Sequence, residues 1–416
     1  MSAVTLAITE LGAQGDGVAM RGGEAVHVAF TAPGDTVTAA VDRSRGTLIA
    51  LLKPGAARVA PPCPHFGPDG ENANCGGCAV QHIAAAPYTD WKRDLVASAL
   101  ERGGIPAVVE PLVACLPGAR RRVVFAARRT GNTLLLGFHR AGTHEVVDIS
   151  ACTVTSPRIV AALPLLKSLA GSAALGTDIF HFGVLETASG FDIAVDAPFK
   201  LAEADRLRIV QAVRKAPGVA RLAFNGEIIL EKQPPQLAFG AVTVTPPPGA
   251  FTQASAAAEA VMADLVAAHL GKAKRVADLY AGCGTFALRL AAKSAVHAVE
   301  ASGAALAALD RAARHAQGIK AVSVEKRDLA RRPLMAMELK TYQGLVFDPP
   351  RAGAESQARE IARSIVPKVA AVSCNPVTLA RDLKILLDGG YRLRSVTPID
   401  QFLWTPHVEV VALLEK

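Results

Sequence analysis

Two short apolar runs in the last third of the chain each end in residues that can do chemistry. Residues 345–347 lead into Asp348, two prolines and an arginine, and residues 370–372 lead into Ser-Cys-Asn-Pro, with the cysteine at position 374. Such runs are typical of buried parallel strands, and open α/β sheets bind ligands just beyond the carboxyl ends of their strands. We therefore expect Asp348 and Cys374 to lie side by side at the mouth of one pocket.

Cys374 is a candidate nucleophile in that position. An Asn-Pro pair follows it, and because the residue before a proline avoids the helical region, we do not expect a helix to continue at once. A free cysteine is also commonly a small buried apolar residue, and Cys374 taken alone fits that interpretation. Its expected neighbour, the Asp-Pro-Pro-Arg motif at 348–351, favours a reactive thiol instead.

A second group of cysteines lies nearer the amino terminus. Cys75 and Cys78 flank a Gly-Gly pair, with Cys63 upstream and Cys152 further along the chain. A Cys-Gly-Gly-Cys turn brings two thiolates together, as a soft metal or an iron–sulfur cluster requires, with Cys152 as a distant fourth ligand. A tetrahedral zinc site also uses four cysteines and is the alternative. An odd total of seven cysteines favours metal binding or catalysis over disulfides.

The final part of the chain has the order of elements of a nucleotide-binding sheet. Residues 275–286 predict a strand, a glycine turn and the start of a helix; the next predicted strand ends in Glu300, and the one after it leads to Asp328. Glu300 is placed to accept hydrogen bonds from two ribose hydroxyls. This order is that of a class I S-adenosylmethionine-binding fold. A dinucleotide enzyme is the alternative, but its fingerprint needs a third glycine where this chain has Phe286.

Composition limits the class of protein. The chain has 416 residues, half of them apolar and a fifth charged, which predicts a globular protein of two or three domains. Its net charge of +8 favours an anionic partner, and its 5% aromatic content argues against a carbohydrate-binding surface. The amino terminus lacks the basic and apolar regions of a signal peptide, and no apolar run has membrane-spanning length. We expect a cytoplasmic protein without a membrane segment.

Turn signals divide the chain into three predicted domains. Residues 1–57 alternate short strands with Gly and Asp clusters, which predicts a small closed barrel. Residues 58–245 predict a central β-rich domain that contains the cysteines and a helix over 89–102 capped by Thr89. A proline-rich break at 245–249 precedes a catalytic domain over 246–416. The basic triplet 120–122 is a candidate phosphate contact.

The motifs together resemble a known family. They are Asp-Pro-Pro-Arg at 348–351, Ser-Cys-Asn-Pro at 373–376, Phe-Thr-Gln at 251–253 and His-Val-Glu at 407–409. This set resembles the RNA 5-methyluridine methyltransferases. The glycine-rich run at 12–19, with Ala-Pro-Gly-Asp at 32–35, resembles the TRAM domain, an oligonucleotide-binding-like (OB) barrel. The whole chain is similar to the bacterial 23S rRNA (uracil-5-)-methyltransferase branch.

The resemblance implies an architecture and a site. It implies an α/β protein with a C-terminal Rossmann-like class I methyltransferase domain, an N-terminal TRAM barrel and a central iron–sulfur domain, acting on RNA as a monomer. Cys374 is then the nucleophile and Glu409 the base. S-adenosylmethionine and uracil are bound by Gln253, Tyr280, Thr285, Glu300, Asp328 and Asp348. A 4Fe–4S cluster is held by Cys63, Cys75, Cys78 and Cys152.

The chain departs from the family pattern at two places. Eleven residues separate Cys63 from Cys75, about twice the usual family spacing, so a loop over 68–74 is expected to bulge outward. Ala254 and Ser255 follow Gln253 where family members often carry an asparagine, so cofactor contacts are expected to differ there.

The chemistry of uracil explains these residue types independently of the family. C5 of uracil is a poor nucleophile, and addition of a thiolate at C6 turns it into an enolate that can attack a methyl sulfonium. The C5 proton must then leave, which needs a base such as a carboxylate, and the pocket must stabilise charge on the ring. The uridine must also be turned out of its RNA context. Cys374, Glu409 and Asp348 meet these needs.

Three other functions remain open from the sequence. A tRNA uridine is the alternative substrate within the same class. A non-catalytic iron–sulfur RNA-binding or assembly protein is a second alternative, but such a protein needs neither Cys374 nor Glu409. An amino-group methyltransferase is the third, suggested by the acid-Pro-Pro motif; those enzymes carry an aromatic residue after the prolines, where this chain has Arg351.

Overall fold

The computed structural model of the chain describes residues 2–69, 73–174 and 176–416. The loop expected to bulge between Cys63 and Cys75 includes residues 70–72, which lie outside the described residues. None of the helices in the described ranges has the length and hydrophobicity that crossing a membrane requires.

The amino-terminal strands form one six-stranded sheet that closes on itself. Its strands are β1 (Ser2–Ala7), β2 (Glu10–Leu11), β3 (Gly17–Arg21), β4 (Glu24–Val28), β5 (Thr36–Asp42) and β6 (Arg45–Lys53). The order β1-β5-β6-β4-β3-β2 puts β1 and β2 at opposite ends, yet only two residues separate them in the chain. The two edges therefore meet, around alternate aliphatic side chains such as Val37, Ala39 and Val41.

Helix α1 (Ala85–Arg102) packs against the carboxyl-terminal part of the chain rather than against the central sheet. Its Val96 and Leu100 share a core with Leu383 and Val396. Part of the apolar surface of α1 therefore contacts residues that lie far away in sequence, outside the predicted central domain of residues 58–245.

The start of α1 also differs from the prediction. The helix begins at Ala85, four residues before Thr89, and the Thr89 hydroxyl donates to the Ala85 carbonyl instead of capping the helix. Pro87 falls within the first turn, where a missing backbone N–H costs no helical hydrogen bond. Gly103 ends the helix, as the sequence predicted.

A seven-stranded sheet of order β13-β12-β11-β10-β7-β8-β9 forms the centre of the chain. Its strands are β7 (Arg122–Thr130), β8 (Thr133–His139), β9 (Val146–Asp148), β10 (Phe180–Thr187), β11 (Gly190–Asp196), β12 (Val219–Phe224) and β13 (Glu227–Glu231). Its helices are α2 (Pro157–Ala161), α3 (Leu163–Ala173) and α4 (Glu203–Lys215). Phe125 and Phe182 from the sheet and Leu166 from α3 are fully buried in the core between the sheet and its helices.

A short hairpin joins the central sheet to the last one. Its strands, β14 (Leu237–Phe239) and β15 (Val242–Val244), precede the proline-rich break. Leu237 and Phe239 pack against Cys283 and Leu288, beyond that break. The hairpin therefore contacts residues on the carboxyl-terminal side of the predicted boundary at residue 246.

The last sheet has the order β18-β17-β16-β19-β20-β22-β21. Its strands are β16 (Arg275–Leu279), β17 (Ala295–Glu300), β18 (Val322–Lys326), β19 (Gly344–Phe347), β20 (Lys368–Ser373), β21 (Arg392–Ile399) and β22 (Glu409–Glu415). Its helices are α5 (Ala256–Leu270), α6 (Ala287–Leu290), α7 (Gly303–His315), α8 (Ala336–Leu339), α9 (Glu355–Arg363) and α10 (Pro376–Asp388). Strands β16 to β20 are parallel, and β22 runs antiparallel between β20 and β21. The strand order reverses at β16, so a ligand crevice opens beyond its carboxyl end.

Candidate active site

The ends of three adjacent strands bring the predicted reactive residues together. Asp348 directly follows β19 and Cys374 directly follows β20, and these strands are paired in parallel. Ser373 pairs with Val410 in the antiparallel ladder between β20 and β22, so Cys374 lies opposite Glu409 at the next position. The sheet thus places a thiol between two carboxyl groups at one mouth, although 61 and 35 residues separate Asp348 and Cys374 from Glu409 in the chain.

Two glutamines connect the two carboxyl groups through hydrogen bonds. Gln253 Nε2 donates to Asp348 Oδ2 over 3.0 Å. Gln401 Nε2 donates to Gln253 Oε1 over 2.7 Å and to Glu409 Oε2 over 3.0 Å. Both glutamines and Glu409 are buried. The site is therefore a continuous chain from Asp348 through Gln253 and Gln401 to Glu409, and the sequence did not predict Gln401 as a member of it.

Burial makes both carboxyl groups weak acids. Desolvation raises the pKa of Asp348 to about 7, against the hydrogen bond from Gln253. Desolvation and the nearby Asp348 raise the pKa of Glu409 to about 8, against the hydrogen bond from Gln401. Because like charges disfavour joint ionisation, the pair holds a proton near neutral pH. A base with a pKa near the working pH is well matched to proton removal from carbon.

The Cys374 thiol is half-buried, and the charged side chains around it shift its pKa in opposite directions. Burial, Glu409 and Asp348 raise its pKa to about 11, and only Arg351 acts in the opposite direction among the charged neighbours. The carboxyl groups therefore disfavour the thiolate while Arg351 favours it.

Helix α10 begins closer to Cys374 than expected. Pro376 is its first residue, because proline suits the first helical position, and Asn375 caps it with Oδ1 accepting from the Val377 N–H over 3.1 Å. The prediction that no helix follows at once is therefore wrong. The amino end of a helix favours nearby negative charge, so α10 acts with Arg351 toward the thiolate.

A buried ion pair fixes the loop over residues 400–408, which carries Gln401 and leads into Glu409. Lys92, on α1, is fully buried, and its Nζ lies 2.8 Å from Asp400 Oδ1. Lys92 Nζ also donates to the carbonyls of Phe402 and His407, and Tyr88 donates to Asp400 Oδ2 over 2.6 Å. Helix α1 therefore anchors the loop that positions one end of the active site.

Two of the predicted cofactor residues, Tyr280 and Thr285, lie in the turn beyond β16. Tyr280 has a positive φ of 63° and Gly282 one of 53°, so the backbone turns sharply there. A Cβ added at Gly282 would meet no atom within 4 Å, which leaves space for a ligand to approach the backbone. Glu300 Oε2 accepts from the Gly282 N–H over 3.0 Å. Thr285 lies in the turn before α6, whereas Asp328 is exposed after β18.

The four predicted metal ligands line one cavity of about 660 Å³. Cys63, Cys75, Cys78 and Cys152 all line it, from three segments of the chain. In the described part of the chain, no group of three or more His, Cys, Asp or Glu side chains is arranged to hold a metal ion. The cavity adjoins the loop over 400–408, because the Ala79 N–H next to Cys78 donates to the Trp404 carbonyl over 2.8 Å.

The basic triplet lies at the junction of the central and catalytic sheets. Arg121 pairs with the buried Glu259 at 2.6 Å, so it is not the free phosphate contact that the sequence suggested. Arg122 donates to the Thr252 carbonyl, and its guanidinium lies 5.0 Å from the ring centre of Phe251. Phe251 is 66% exposed, two residues before Gln253. An exposed ring there is suited to stacking on a base.

The strand order and the crevice define the class of protein: a class I S-adenosylmethionine methyltransferase-like α/β fold. The crystal structure of Pyrococcus abyssi tRNA (uracil-54, C5)-methyltransferase in complex with S-adenosyl-L-homocysteine has the same fold, with a TM-score of 0.76, 22% identity and 99% of both chains covered.

Sequence comparison defines the family. Residues 241–416 match the family described as tRNA (Uracil-5-)-methyltransferase. The chain is 53% identical over 416 residues to an RNA methyltransferase of Agrobacterium fabrum, covering 100% of both proteins. It is 32% identical to the 23S rRNA (uracil(1939)-C(5))-methyltransferase RlmD of Halomonas elongata, covering 99% of this chain and 89% of that one. The chain belongs to the RNA (uracil-5-)-methyltransferase family.

Proposed function

We propose that this protein methylates C5 of a uridine in 23S rRNA through a covalent adduct between Cys374 and C6 of the base. The observation that carries the proposal is the position of Cys374 opposite Glu409, next to the hydrogen-bonded chain that ends at Asp348. A nucleophile and a base on neighbouring strands can act on adjacent carbons of one ring. The RlmD relative, which covers nearly the whole chain, supports rRNA as the substrate. The family description favours tRNA as the second candidate.

Cys374 acts first in this mechanism. After its proton has been lost to solvent, the thiolate Sγ adds to C6 of the flipped uracil, and the electrons of the C5–C6 double bond move to form an enolate with charge on O4. Arg351 and the amino end of α10 favour this thiolate. Gln253 and Asp348 lie at the same mouth and are suited to orienting the ring edge. Bound S-adenosylmethionine supplies an electrophilic methyl group, and the open turn at Gly282 with Glu300 is suited to holding it.

Glu409 acts after the methyl group has reached C5. Its carboxylate removes the C5 proton, the electrons of that C–H bond re-form the C5–C6 double bond, and the Sγ–C6 bond breaks to release Cys374. Because the pKa of Glu409 is raised to about 8 and the carboxylate is the active form, proton removal becomes faster as the pH rises toward that value.

The same proposal assigns a 4Fe–4S cluster to Cys63, Cys75, Cys78 and Cys152. The four cysteines that line one cavity support it, because thiolates are the ligands that iron–sulfur clusters use. The four thiolate ligands of a cluster lie farther apart than those of a single metal ion, which needs its ligands in a compact tetrahedron. Four thiols spread around one cavity therefore suit a cluster better than a single ion. Bound there, the cluster would cross-link the segment around Cys63 to the central sheet near Cys152.

Iron content tests the ligand set. Cys75→Ala and Cys78→Ala are expected to lose more iron than Cys63→Ala, because Cys75 and Cys78 share one turn. Anaerobically purified wild-type protein should carry about four irons per chain and absorb visible light. Cys115→Ala, whose thiol does not line the cavity, is the matched control and should keep its iron. Stoichiometric zinc without iron would contradict the cluster.

The closed amino-terminal sheet is proposed as a TRAM-like RNA-binding barrel. Arg21, Arg43, Arg45 and Lys53 are exposed on it and can contact phosphates. The double variant Arg43→Ser, Arg45→Ser is expected to weaken RNA binding and to reduce the slope of log K against log salt by roughly 0.7 per lost contact. Filter binding at several salt concentrations measures the slope. An unchanged affinity and slope would count against the barrel as an RNA-binding module.

The substrate is tested by giving the purified protein unmodified 23S rRNA and unmodified tRNA in separate reactions. Incorporated methyl groups are then mapped to individual nucleotides by mass spectrometry. We expect one 5-methyluridine in the rRNA. Methylation of tRNA alone would replace the rRNA proposal with the second candidate, and methylation of neither would contradict both.

A further inference from the structure

Gln401 occupies a central place in the active site without being one of its reactive groups. It is the one side chain that hydrogen-bonds both Gln253 and Glu409 among the described residues. Its side chain is 4% exposed, and 148 residues separate it from Gln253 in sequence. It therefore joins the segment before α5 to the start of β22.

The orientation of the Gln401 amide is fixed from three sides. Its Oε1 accepts from the Ser255 N–H over 3.4 Å, and a backbone N–H can only donate. Both hydrogens of its Nε2 are therefore directed to the other partners, one to Gln253 Oε1 and one to Glu409 Oε2. The preceding residue, Asp400, is held by Lys92, so the backbone that carries Gln401 is anchored as well.

We propose that Gln401 is a positioning residue for proton removal, which holds Glu409 by Oε2 so that Oε1 receives the C5 proton of the methylated adduct. This inference rests on the function proposed above and adds a specific residue to its last step. The atoms balance: the proton passes from C5 to Glu409 Oε1, the C–H electrons form the C5–C6 double bond, and the sulfur leaves with the electrons of the Sγ–C6 bond.

The charged groups around Glu409 determine how its pKa changes when Gln401 is replaced. Two titratable groups lie next to Glu409: Asp348 after β19 and Cys374 after β20. Asp400, which precedes Gln401, is paired with Lys92. Arg351 lies near Cys374 and contacts His407. Asp348 and burial favour the neutral form of Glu409, and the N–H of Gln401 is the group that favours the carboxylate. Removing this donor raises the pKa of Glu409 further, so the base is protonated over a wider pH range.

The test separates methyl transfer from proton removal. Wild type and Gln401→Met are mixed with S-adenosylmethionine and 23S rRNA transcribed with tritium at C5 of uridine. Methionine matches glutamine in length but donates no hydrogen bond. Methyl transfer is measured in the same reactions, because Gln401 also bonds Gln253 and its loss can lower that rate at every pH. The result that tests the proposal is the pH dependence of tritium release, which we expect to move upward by roughly one to two units, the range for a hydrogen bond to a charged group. Covalent protein–RNA complex should accumulate at neutral pH and decay when the pH is raised.

A second variant and a control keep the test decisive. Gln401→Glu puts a further carboxyl group beside Glu409 and should move the same profile further upward. Gln357→Met removes another buried glutamine, which bonds the backbone of Leu334, and should lower the melting temperature without moving the profile. Unshifted profiles in both Gln401 variants would overturn the proposal. If wild type forms no Cys374-dependent adduct at all, the proposed function fails instead, so the two failures are distinguishable.

Discussion

Cys374→Ala is expected to bind both RNA and S-adenosylmethionine and yet to transfer no methyl group. Without the Sγ–C6 bond, C5 of uracil remains a poor nucleophile, so methyl transfer should fall by roughly 10,000-fold or more, the scale of losing a catalytic nucleophile. The substitution removes one sulfur from a half-buried position, so folding and ligand binding should persist. Incorporation of labelled methyl groups into RNA measures the rate, and equilibrium binding measures the two affinities.

Two controls make this result specific to the thiol. Cys115→Ala removes another half-buried thiol of the chain and should retain methyl transfer. RNA containing 5-fluorouridine should trap wild type as a covalent complex that survives denaturing electrophoresis, because fluorine cannot leave C5 as a proton does, and it should not trap Cys374→Ala. Near wild-type methylation by Cys374→Ala, or an active enzyme that fluorouridine RNA never traps, would contradict the mechanism.

The strand ends of the catalytic sheet could be predicted because they depend on local sequence. Residues 345–347 and 370–372 are apolar at every position, since both faces of a parallel strand are buried. Topology then brings their carboxyl ends together without further information. The antiparallel register of β22 against β20 brings Glu409 to the same pocket. Local sequence does not specify this register, so only the folded structure shows where Glu409 lies.

The packing of helix α1 and the burial of its Lys92 could not be predicted in the same way. Lys92 in a helix suggests a solvated side chain, since lysine is almost never fully buried unless it is paired. Its partner Asp400 is 308 residues away in the chain, and only the tertiary structure brings them together. The same long separation hid the packing of α1 on α10.

Gln401 was missed for a related reason. A single amide in a loop has no periodicity, no special spacing and no charge, so its sequence context carries no signal. What defines its role is the pair of partners it reaches, Gln253 and Glu409, which are distant from each other in the chain. Buried polar networks of this kind are specified by tertiary structure, and each member must find a partner within it.

Glu409→Gln is expected to carry the reaction through methyl transfer and to stop it at the next step. Glutamine keeps the shape of the side chain but cannot accept the C5 proton, so tritium release from C5-labelled RNA should fall by roughly 100- to 10,000-fold. The methylated adduct should accumulate as a covalent complex with Cys374. In wild type, tritium release should increase with pH up to about 8, because burial and Asp348 raise the pKa of Glu409 to about 8 and the carboxylate is the active form. Glu409→Gln should lose this pH dependence.

The matched control is Glu360→Gln on α9, which makes the same change at another buried glutamate. Glu360 bonds the Ala336 N–H and Arg363, away from the site, so this variant should release tritium as wild type does and accumulate no adduct. Release of tritium by Glu409→Gln at the wild-type rate would show that another group takes the proton. If Glu409→Gln lost both methyl transfer and the adduct, Glu409 would act before the methyl group is transferred. A base that is used only after methyl transfer leaves the covalent complex behind when it is removed.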